Sequence, residues 1–296
     1  MKPFEGLIAA AFTPMNEDGT VNLDVIPEYA RRLVRDGVRG VLICGTTGEG
    51  FSLTLEERMA LAQAWKASIP ADFALIIHVG HTSLAAARRL VQHAASIGAD
   101  AVAATGPLYY KVDSAEQLAA YCEQLAAAEP HMPFFYYHAP ARSGVHISMV
   151  ELLEQVHNRI PNFAGIKFTY ANLMELNRCV RFAGGRFNIL FGKDEFLLAG
   201  LVMGARGAVG ATYNFSAPIY LKMMEALGRG DLQAAYVYQS AAVDFMAVLQ
   251  RYGGLVAAKA VMRMKGIDCG PVRQPLQPMG PQAYESLRRD LEGLIL

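Results

Sequence analysis

The sequence predicts an α/β fold, a (β/α)8 TIM barrel with a C-terminal helical extension. Short apolar runs recur at regular intervals along the 296 residues, and a segment with helical periodicity follows each of them. Eight such units favour a closed barrel, because every right-handed crossover adds a parallel neighbour to the sheet. An open, doubly wound sheet is the alternative that this pattern leaves.

The expected elements follow one another with short connections. The apolar runs do not alternate cleanly with polar residues, as is typical of parallel strands that helices cover on the outside. Strands are expected at about 6–13, 40–45, 74–80, 100–105, 133–138, 163–169, 187–192 and 207–212. Helices are expected between them at about 23–37, 54–68, 83–97, 115–128, 148–158, 171–183, 194–203 and 216–228. Thr54 and Glu57 form a capping-box pattern at the start of the second helix.

Beyond residue 230 the pattern is helical only, and helices are expected at 231–250 and 284–294. No Ser- or Pro-rich linker separates this part of the chain from the barrel. We therefore expect one barrel over residues 1–228 and a helical extension over residues 229–296 that packs on it.

Composition and charge exclude several classes of function. Lys plus Arg equal Asp plus Glu at 27 each, so the strongly basic surface typical of nucleic-acid-binding proteins is not expected. No apolar stretch reaches the roughly 20 residues that span a bilayer. The four cysteines are scattered without a CxxC pattern, which is typical of reduced thiols. We expect a cytoplasmic enzyme that acts on a small molecule, with no nucleic-acid or membrane partner.

Reactive side chains collect where the expected strands end. In barrels of this kind the chemistry lies at the C-terminal ends of the strands. Reactive groups occur in four such segments, at 44–49, 134–138, 163–169 and 191–195. These segments are therefore expected to converge on one mouth of the barrel.

Lys167 is the strongest single indication of chemistry. Side chains alternate along a strand, and the apolar face of this one comprises Ala164, Ile166 and Phe168. That face is expected to contact the helices, which directs Lys167 into the barrel. Because a buried ammonium is costly, the neutral and nucleophilic amine is favoured there. The alternatives are a lysine paired with a carboxylate and a strand whose position is shifted by one residue, which would turn Lys167 outward.

Two neighbouring segments suit the same chemistry. The GTTGE segment at 45–49 offers the hydroxyls of Thr46 and Thr47 and glycine-bounded N–H groups, which can hold a carboxylate. The alternative interpretation is an ordinary strand-to-helix turn, in which Gly and Thr are also common. Tyr137 can pass protons through its hydroxyl if it lies near the amine, although a tyrosine in an apolar strand more often only packs.

A metal-dependent reaction is a competing hypothesis because the chain has several histidines. Those nearest the expected strand ends and loops are His78, His81, His131 and His138. Their spacings match no zinc-ligand pattern, and the cysteines do not complete one. A metal site is therefore not expected.

Taken together, these segments resemble the N-acetylneuraminate lyase and dihydrodipicolinate synthase family of class I aldolases. The likeness covers nearly the whole chain and rests on the spacing of GTTGE (45–49), YYHAP (136–140) and GIKFT (165–169). Within the family the chain is most similar to the lyases, particularly those of animal type. The stretches concerned are IIHVG (76–80), QHAASIGAD (92–100), FFYYHAPARSGV (134–145), FGKDE (191–195) and GAVGATYN (207–214).

The resemblance implies roles for individual residues. Lys167 would form a covalent Schiff base with a 2-oxo acid, most simply pyruvate, and no cofactor would be needed. Tyr137 and Thr46 would serve the proton transfers, and Thr46 and Thr47 would hold the carboxylate. Tyr109 would reach across a subunit boundary of a homotetramer into a neighbouring site. The residues that would meet the hydroxyls of the sugar half are Thr169, Gly192, Asp194 and Glu195.

Two substrate-binding positions depart from the lyase pattern. Lyases usually have an apolar residue at the position of Arg142, whereas synthases have an arginine there that binds a second carboxylate. The alternative interpretation of Arg142 is a solvent-facing loop residue. Lyases also usually have a serine at the position of Ala211. The resemblance therefore implies an N-acetylneuraminate lyase, with two alternatives: 4-hydroxy-tetrahydrodipicolinate synthase, and an aldolase or dehydratase for another sugar-derived 2-oxo acid. A barrel that has lost catalysis is a further alternative. The joint presence of the lysine, the tyrosine and the threonines argues against it.

Overall fold

The computed structural model describes residues 3–294, whose eight parallel strands form a closed barrel. The strands are β1 (Gly6–Ala10), β2 (Gly40–Ile43), β3 (Ala74–His78), β4 (Ala101–Ala104), β5 (Phe134–His138), β6 (Phe163–Phe168), β7 (Asn188–Phe191) and β8 (Gly207–Gly210). Each strand pairs in parallel with the next, and β1 pairs with β8. This last pairing confirms the predicted barrel and excludes the open sheet.

Helices cover the outside of the barrel. They are α1 (Ile26–Arg35), α2 (Leu55–Ser68), α3 (Leu84–Ser96), α4 (Ala115–Ala126), α5 (Pro140–Ser143), α6 (Met149–Val156), α7 (Leu173–Arg181), α8 (Leu197–Val202) and α9 (Tyr213–Gly228). The capping box predicted at Thr54 is present, because Thr54 and Glu57 exchange side-chain-to-backbone hydrogen bonds. The single turn α5 was not predicted. It begins at a proline, which is favourable in a first turn, and ends before Gly144 in the left-handed region.

The apolar side chains form two clusters, one on each side of the strand layer. The barrel interior is filled by residues such as Ile8, Leu42, Phe135 and Leu190. A larger cluster lies between the strands and the surrounding helices. The inner cluster fills the barrel below the C-terminal ends of the strands, where the barrel is open.

The predicted alternation along β6 is correct for Ile166 and Phe168, which belong to the outer cluster, but wrong for Ala164. Ala164 packs against the inner cluster. The register between β5 and β6 shifts here, since Phe134 pairs with Phe163 and the next residue of β5 pairs with Gly165. The additional residue in β6 reverses the alternation before the bulge and leaves it unchanged after it.

Several strands are shorter at their C-terminal ends than the sequence predicts. The first ends at Ala10 rather than residue 13, and the eighth at Gly210 rather than residue 212. The apolar pattern continues past these points because the following residues remain buried while the chain leaves the sheet.

The C-terminal part comprises α10 (Leu232–Arg251), α11 (Leu255–Met264) and α12 (Pro281–Asp290), of which α11 was not predicted. The division between residues 228 and 229 stays a prediction, and its outer bounds at residues 1–2 and 295–296 lie outside the described residues. Within residues 3–294, no helix is both long and apolar enough to cross a membrane.

Candidate active site

A cavity of about 440 Å³ opens at the C-terminal ends of the strands. It brings together most of the site residues predicted from the sequence. These are Thr46, Thr47, Tyr137, Arg142, Lys167, Thr169, Gly192, Asp194, Glu195 and Ala211. Residues at the ends of five strands, β2, β5, β6, β7 and β8, thus converge on one space, as the positions of the strand ends predict.

Lys167 lies inside the barrel with only 4% of its surface exposed. It is paired in register with Tyr137 on the neighbouring strand, so the two side chains share the inner face. The Lys167 Nζ atom lies 3.9 Å from the centroid of the Tyr137 ring. No carboxylate forms an ion pair with Lys167 among residues 3–294, so the hypothesis of a structurally paired lysine is not supported.

The Tyr137 hydroxyl lies between the lysine and the loop after β2. It is 3.4 Å from the Thr46 Oγ1 atom, and either hydroxyl can donate. Burial raises the pKa of Tyr137, but the Lys167 ammonium and the Thr46 hydroxyl outweigh it and leave the pKa below its usual value. A phenol with a lowered pKa beside an amine is suited to pass protons.

The loop of residues 45–50 directs its two threonines to the cavity. We call it the carboxylate loop, because these threonines are predicted to hold the carboxylate of a ligand. Its glycines allow close approach of the backbone, because a Cβ at Gly50 would overlap the Cys44 carbonyl oxygen. Thr13 Oγ1 donates to the Gly48 carbonyl at 2.6 Å and holds the loop from below. Thr46 is exposed to the cavity and Thr47 is half-buried, so both hydroxyls are available to a ligand.

Asp194 is buried just after β7 and is held by Thr212, which follows β8. Its Oδ2 atom accepts hydrogen bonds from the Thr212 backbone N–H at 2.9 Å and from Thr212 Oγ1 at 2.6 Å. Burial raises the pKa of Asp194, and the nearby Glu195 carboxylate acts in the same direction, against the hydrogen bonds from Thr212. Glu195 forms an ion pair with Lys193. Two carboxyl groups therefore line one wall, where they can accept hydrogen bonds from hydroxyls.

Arg142 and Ala211, the two departures from the lyase pattern, both line the cavity. The Arg142 side chain is exposed at the C-terminal end of α5. It forms no ion pair in the part of the chain that the structure describes. Arg142 is thus a cavity residue with a free charge.

Tyr109 is the one predicted site residue that does not line this cavity. It lies in the loop between β4 and α4, is 83% exposed, and packs edge-on against Tyr110 with ring centroids 5.1 Å apart. Within one chain it is not brought to Lys167. Its role at a neighbouring subunit's site stays a prediction.

The helical extension forms part of the cavity wall, a contribution that was not predicted from the sequence. Met246, Leu249 and Gln250 of α10 and Leu255 and Ala258 of α11 line it. These residues form no motif, so only their position in the fold identifies them. Thr212, which anchors Asp194, was also missed as a site residue, although it lies within the GAVGATYN stretch.

No metal centre is evident among residues 3–294, where no three His, Cys, Asp or Glu side chains converge to hold an ion. His78 and His138 are buried in different packing environments, His78 against Tyr137 and His138 against Phe168 on the outer side of β5. The four cysteines are buried and form no disulfide.

A buried lysine amine beside a tyrosine hydroxyl, at the C-terminal mouth of a (β/α)8 barrel, is the arrangement that a Schiff-base-forming aldolase requires. The chain belongs to the Dihydrodipicolinate synthetase family, whose model matches residues 3–294. It is 42% identical to the N-acetylneuraminate lyase of Pongo abelii over 299 aligned positions, covering 99% of this chain and 93% of that protein.

Solved structures of the family have the same fold. The N-acetylneuraminate lyase of Proteus mirabilis matches with a TM-score of 0.95 and 38% identity, covering 98% of each chain. The DHDPS of Cyanidioschyzon merolae matches with a TM-score of 0.90 and 26% identity, covering 97% of each chain. These similarities confirm the family and the fold predicted from the sequence.

Proposed function

We propose that this protein is a pyruvate-dependent class I aldolase that reversibly cleaves N-acetylneuraminate to N-acetylmannosamine and pyruvate. The observation that supports it most directly is the buried Lys167 amine, 3.9 Å from the Tyr137 ring, in a cavity lined by threonine hydroxyls and two carboxyl groups. The 42% identity to a lyase over nearly the whole chain supports the choice of substrate.

The pyruvate subsite comprises Thr46, Thr47, Tyr137 and Lys167. The carboxylate of the 2-oxo acid accepts hydrogen bonds from the carboxylate loop, which directs C2 towards the Lys167 amine. The amine attacks C2 of the open-chain sugar, and loss of water leaves an iminium ion. The reaction needs no cofactor, because this covalent adduct itself accepts the electron pair of the bond that breaks.

The acceptor subsite comprises Thr169, Gly192, Asp194, Glu195 and Ala211, with Arg142 exposed beside it. In our proposal Tyr137, together with Thr46, takes the proton of the C4 hydroxyl as the C3–C4 bond breaks. N-acetylmannosamine leaves as the aldehyde, and its hydroxyls donate to the two carboxyl groups. The enamine left on Lys167 is protonated at C3 and hydrolysed, which releases pyruvate and the free amine.

The proposal includes a homotetramer in which Tyr109 of one subunit serves the site of another. Tyr109 and Tyr110 are both 83% exposed, although large aromatic side chains gain most from burial. Measuring the mass of the particle in solution, for the natural chain and for Tyr109→Ala, tests this part separately from the chemistry.

The test of the function is pyruvate release from N-acetylneuraminate, coupled to lactate dehydrogenase, together with borohydride trapping of pyruvate. We expect rapid release and a reduced pyruvyl adduct on Lys167, and neither in Lys167→Ala. Lys193→Ala is the matched control, since Lys193 lines the same cavity and should leave the adduct in place. A natural chain that forms no adduct would contradict the aldolase chemistry, whereas an adduct without pyruvate release would contradict only the sugar substrate.

One observation favours a second candidate, a 4-hydroxy-tetrahydrodipicolinate synthase that condenses pyruvate with aspartate semialdehyde. The unpaired Arg142 side chain lines the cavity, where it can bind the second carboxylate of that acceptor. Arg142→Leu should abolish a synthase activity but change pyruvate release from N-acetylneuraminate by no more than a few-fold. Condensation assays with aspartate semialdehyde, on both chains, separate the two functions. An aldolase or dehydratase for another sugar-derived 2-oxo acid is tried next if both assays fail while trapping succeeds.

A further inference from the structure

The carboxylate loop is tied to the C-terminal helices by a buried ion pair. Glu49 Oε1 accepts from Lys259 Nζ of α11 at 3.0 Å, and each side chain is only 2% exposed. The pair joins residues 210 positions apart in the sequence. Removing two charges from water is costly, so a buried pair by itself is weak evidence of a contribution to stability.

The remaining polar atoms of the pair are also satisfied by the C-terminal part of the chain. The second carboxylate oxygen of Glu49 accepts from the Arg273 backbone N–H at 2.7 Å. Lys259 Nζ also donates to the Pro271 carbonyl at 2.6 Å. The Glu49 carboxylate is therefore fixed at both oxygens, which restricts it more than a single contact would.

Glu49 is hydrogen-bonded directly to Thr46 through the backbone. The Glu49 backbone N–H donates to the Thr46 carbonyl at 3.1 Å, and the Gly50 N–H donates to the Gly45 carbonyl at 3.1 Å. Glu49 also has a backbone φ of 52°, in the left-handed region that a residue with a side chain rarely adopts. Surrounding contacts must maintain such a conformation, and the Glu49 side chain makes its contacts with Lys259 and Arg273.

We propose that Glu49 and Lys259 are positioning residues that hold Thr46 and Thr47 for the carboxylate of the 2-oxo acid. Through this pair the C-terminal helices determine the affinity of the pyruvate subsite as well as forming a wall of the cavity. The inference rests on the proposed function and adds to it two residues that do not touch the substrate.

The measurement is the pyruvate concentration that gives half-maximal borohydride adduct. In Glu49→Gln and Lys259→Met we expect it to rise about tenfold, because a shift of the threonines weakens the hold on the carboxylate. The adduct at saturating pyruvate should be undiminished, and kcat for the sugar should fall less than kcat/KM. Glu57→Gln is the matched control. It removes the ion pair between α2 and the Arg273 side chain but leaves the Arg273 backbone N–H that holds Glu49, so the half-saturating pyruvate concentration should stay unchanged.

The double variant Glu49→Gln with Lys259→Met separates positioning from stability. Each single change leaves an unpaired buried charge and lowers the unfolding temperature, whereas the double change removes both charges and should restore part of it. The half-saturating pyruvate concentration should nevertheless stay raised, because the loop has still lost its contact with Lys259.

A half-saturating pyruvate concentration that recovers together with the unfolding temperature would overturn the inference, as would an unchanged value in Glu49→Gln. If Lys259→Met does not fold, Glu49→Gln and its control decide, since glutamine keeps the size of the side chain. A natural chain that traps no pyruvate would refute the proposed function instead.

Discussion

The proposed pyruvate subsite and the proposed acceptor subsite share one cavity but are built on different parts of the fold. Lys167 and Tyr137 lie on neighbouring strands, in register, and the barrel interior packs beneath them. Asp194 and Glu195 instead follow β7 in a short turn, which Thr212 and the α10 residue Gln239 hold by hydrogen bonds. Functional groups on strands are more rigid than groups on loops.

This difference suggests a division of function between the two subsites. The rigid strands position the amine and the phenol for a reaction that every 2-oxo acid substrate shares. The segments after β5, β6, β7 and β8 contain the residues that would distinguish one acceptor from another, and the departures at Arg142 and Ala211 both occur there. Substitutions of Lys167 or Tyr137 should therefore affect kcat, and substitutions in the acceptor subsite should affect KM for the sugar.

Tyr137→Phe should have the largest effect. Removing the hydroxyl leaves the ring over Lys167 but removes the proton carrier, so we expect kcat for pyruvate release to fall about 10²- to 10⁴-fold. Steady-state assays measure this fall, and borohydride trapping of pyruvate, which should persist, is the control for an intact site. An unchanged kcat would mean that another group transfers the protons.

Gly210→Ala should disturb only the acceptor subsite. A Cβ at residue 210 would overlap the Asp194 carboxylate, so this side chain must move. We expect KM for N-acetylneuraminate to rise roughly 10- to 100-fold, as misplaced binding groups typically cause, with half-saturating pyruvate in the trapping assay unchanged. Gly228→Ala is a suitable control, because a Cβ there meets nothing within 4 Å. Equal losses in both assays would contradict the independence of the two subsites.

Ala211→Ser should produce a smaller change, in the opposite direction. The new hydroxyl faces the cavity and can bond to a sugar hydroxyl, which should lower KM about two- to tenfold for a net hydrogen bond of ordinary strength. Kinetics with N-acetylneuraminate measure this, with Ala211→Val as the control for added volume. If serine and valine behave alike, the acceptor makes no polar contact at this position.

The smallest effect on catalysis at neutral pH is expected for His138, which follows Tyr137 on β5 and packs against Phe168. Burial, with a contribution from His146, lowers the pKa of His138 to about 4, against 6.5 when exposed. The unfolded chain therefore binds more protons between these values, so this part of the stability is complete above pH 6.5 and is lost as the pH falls towards 4. The loss should approach roughly 3 kcal/mol at pH 4.

Thermal unfolding of the natural chain and of His138→Phe between pH 7 and pH 4 tests this prediction. The variant should lose less stability on acidification, while pyruvate release at pH 7 stays within a few-fold. Parallel pH curves for the two proteins would mean that His138 is protonated in the folded state without cost.

Much of the pyruvate subsite was predictable because the signals are local. Apolar runs and helical periodicity repeat along the chain, and alternation from Ile166 to Phe168 directs Lys167 inward whatever the rest of the fold does. The family motifs indicated Thr46, Thr47 and Tyr137 in the same way. The same rule failed at Ala164, since a bulge depends on how two strands pair and leaves no mark in the apolar pattern.

The sequence by itself thus determined the barrel, the inward lysine and the set of strand ends that form the mouth. The tertiary structure decided that Thr212 anchors Asp194, that α10 and α11 form a wall of the cavity, and that Glu49 pairs with Lys259 across 210 positions. The physical reason is the range of the interactions. Periodicity and alternation follow from backbone geometry over a few residues, whereas these contacts exist only after the closed barrel brings its ends and its C-terminal helices together.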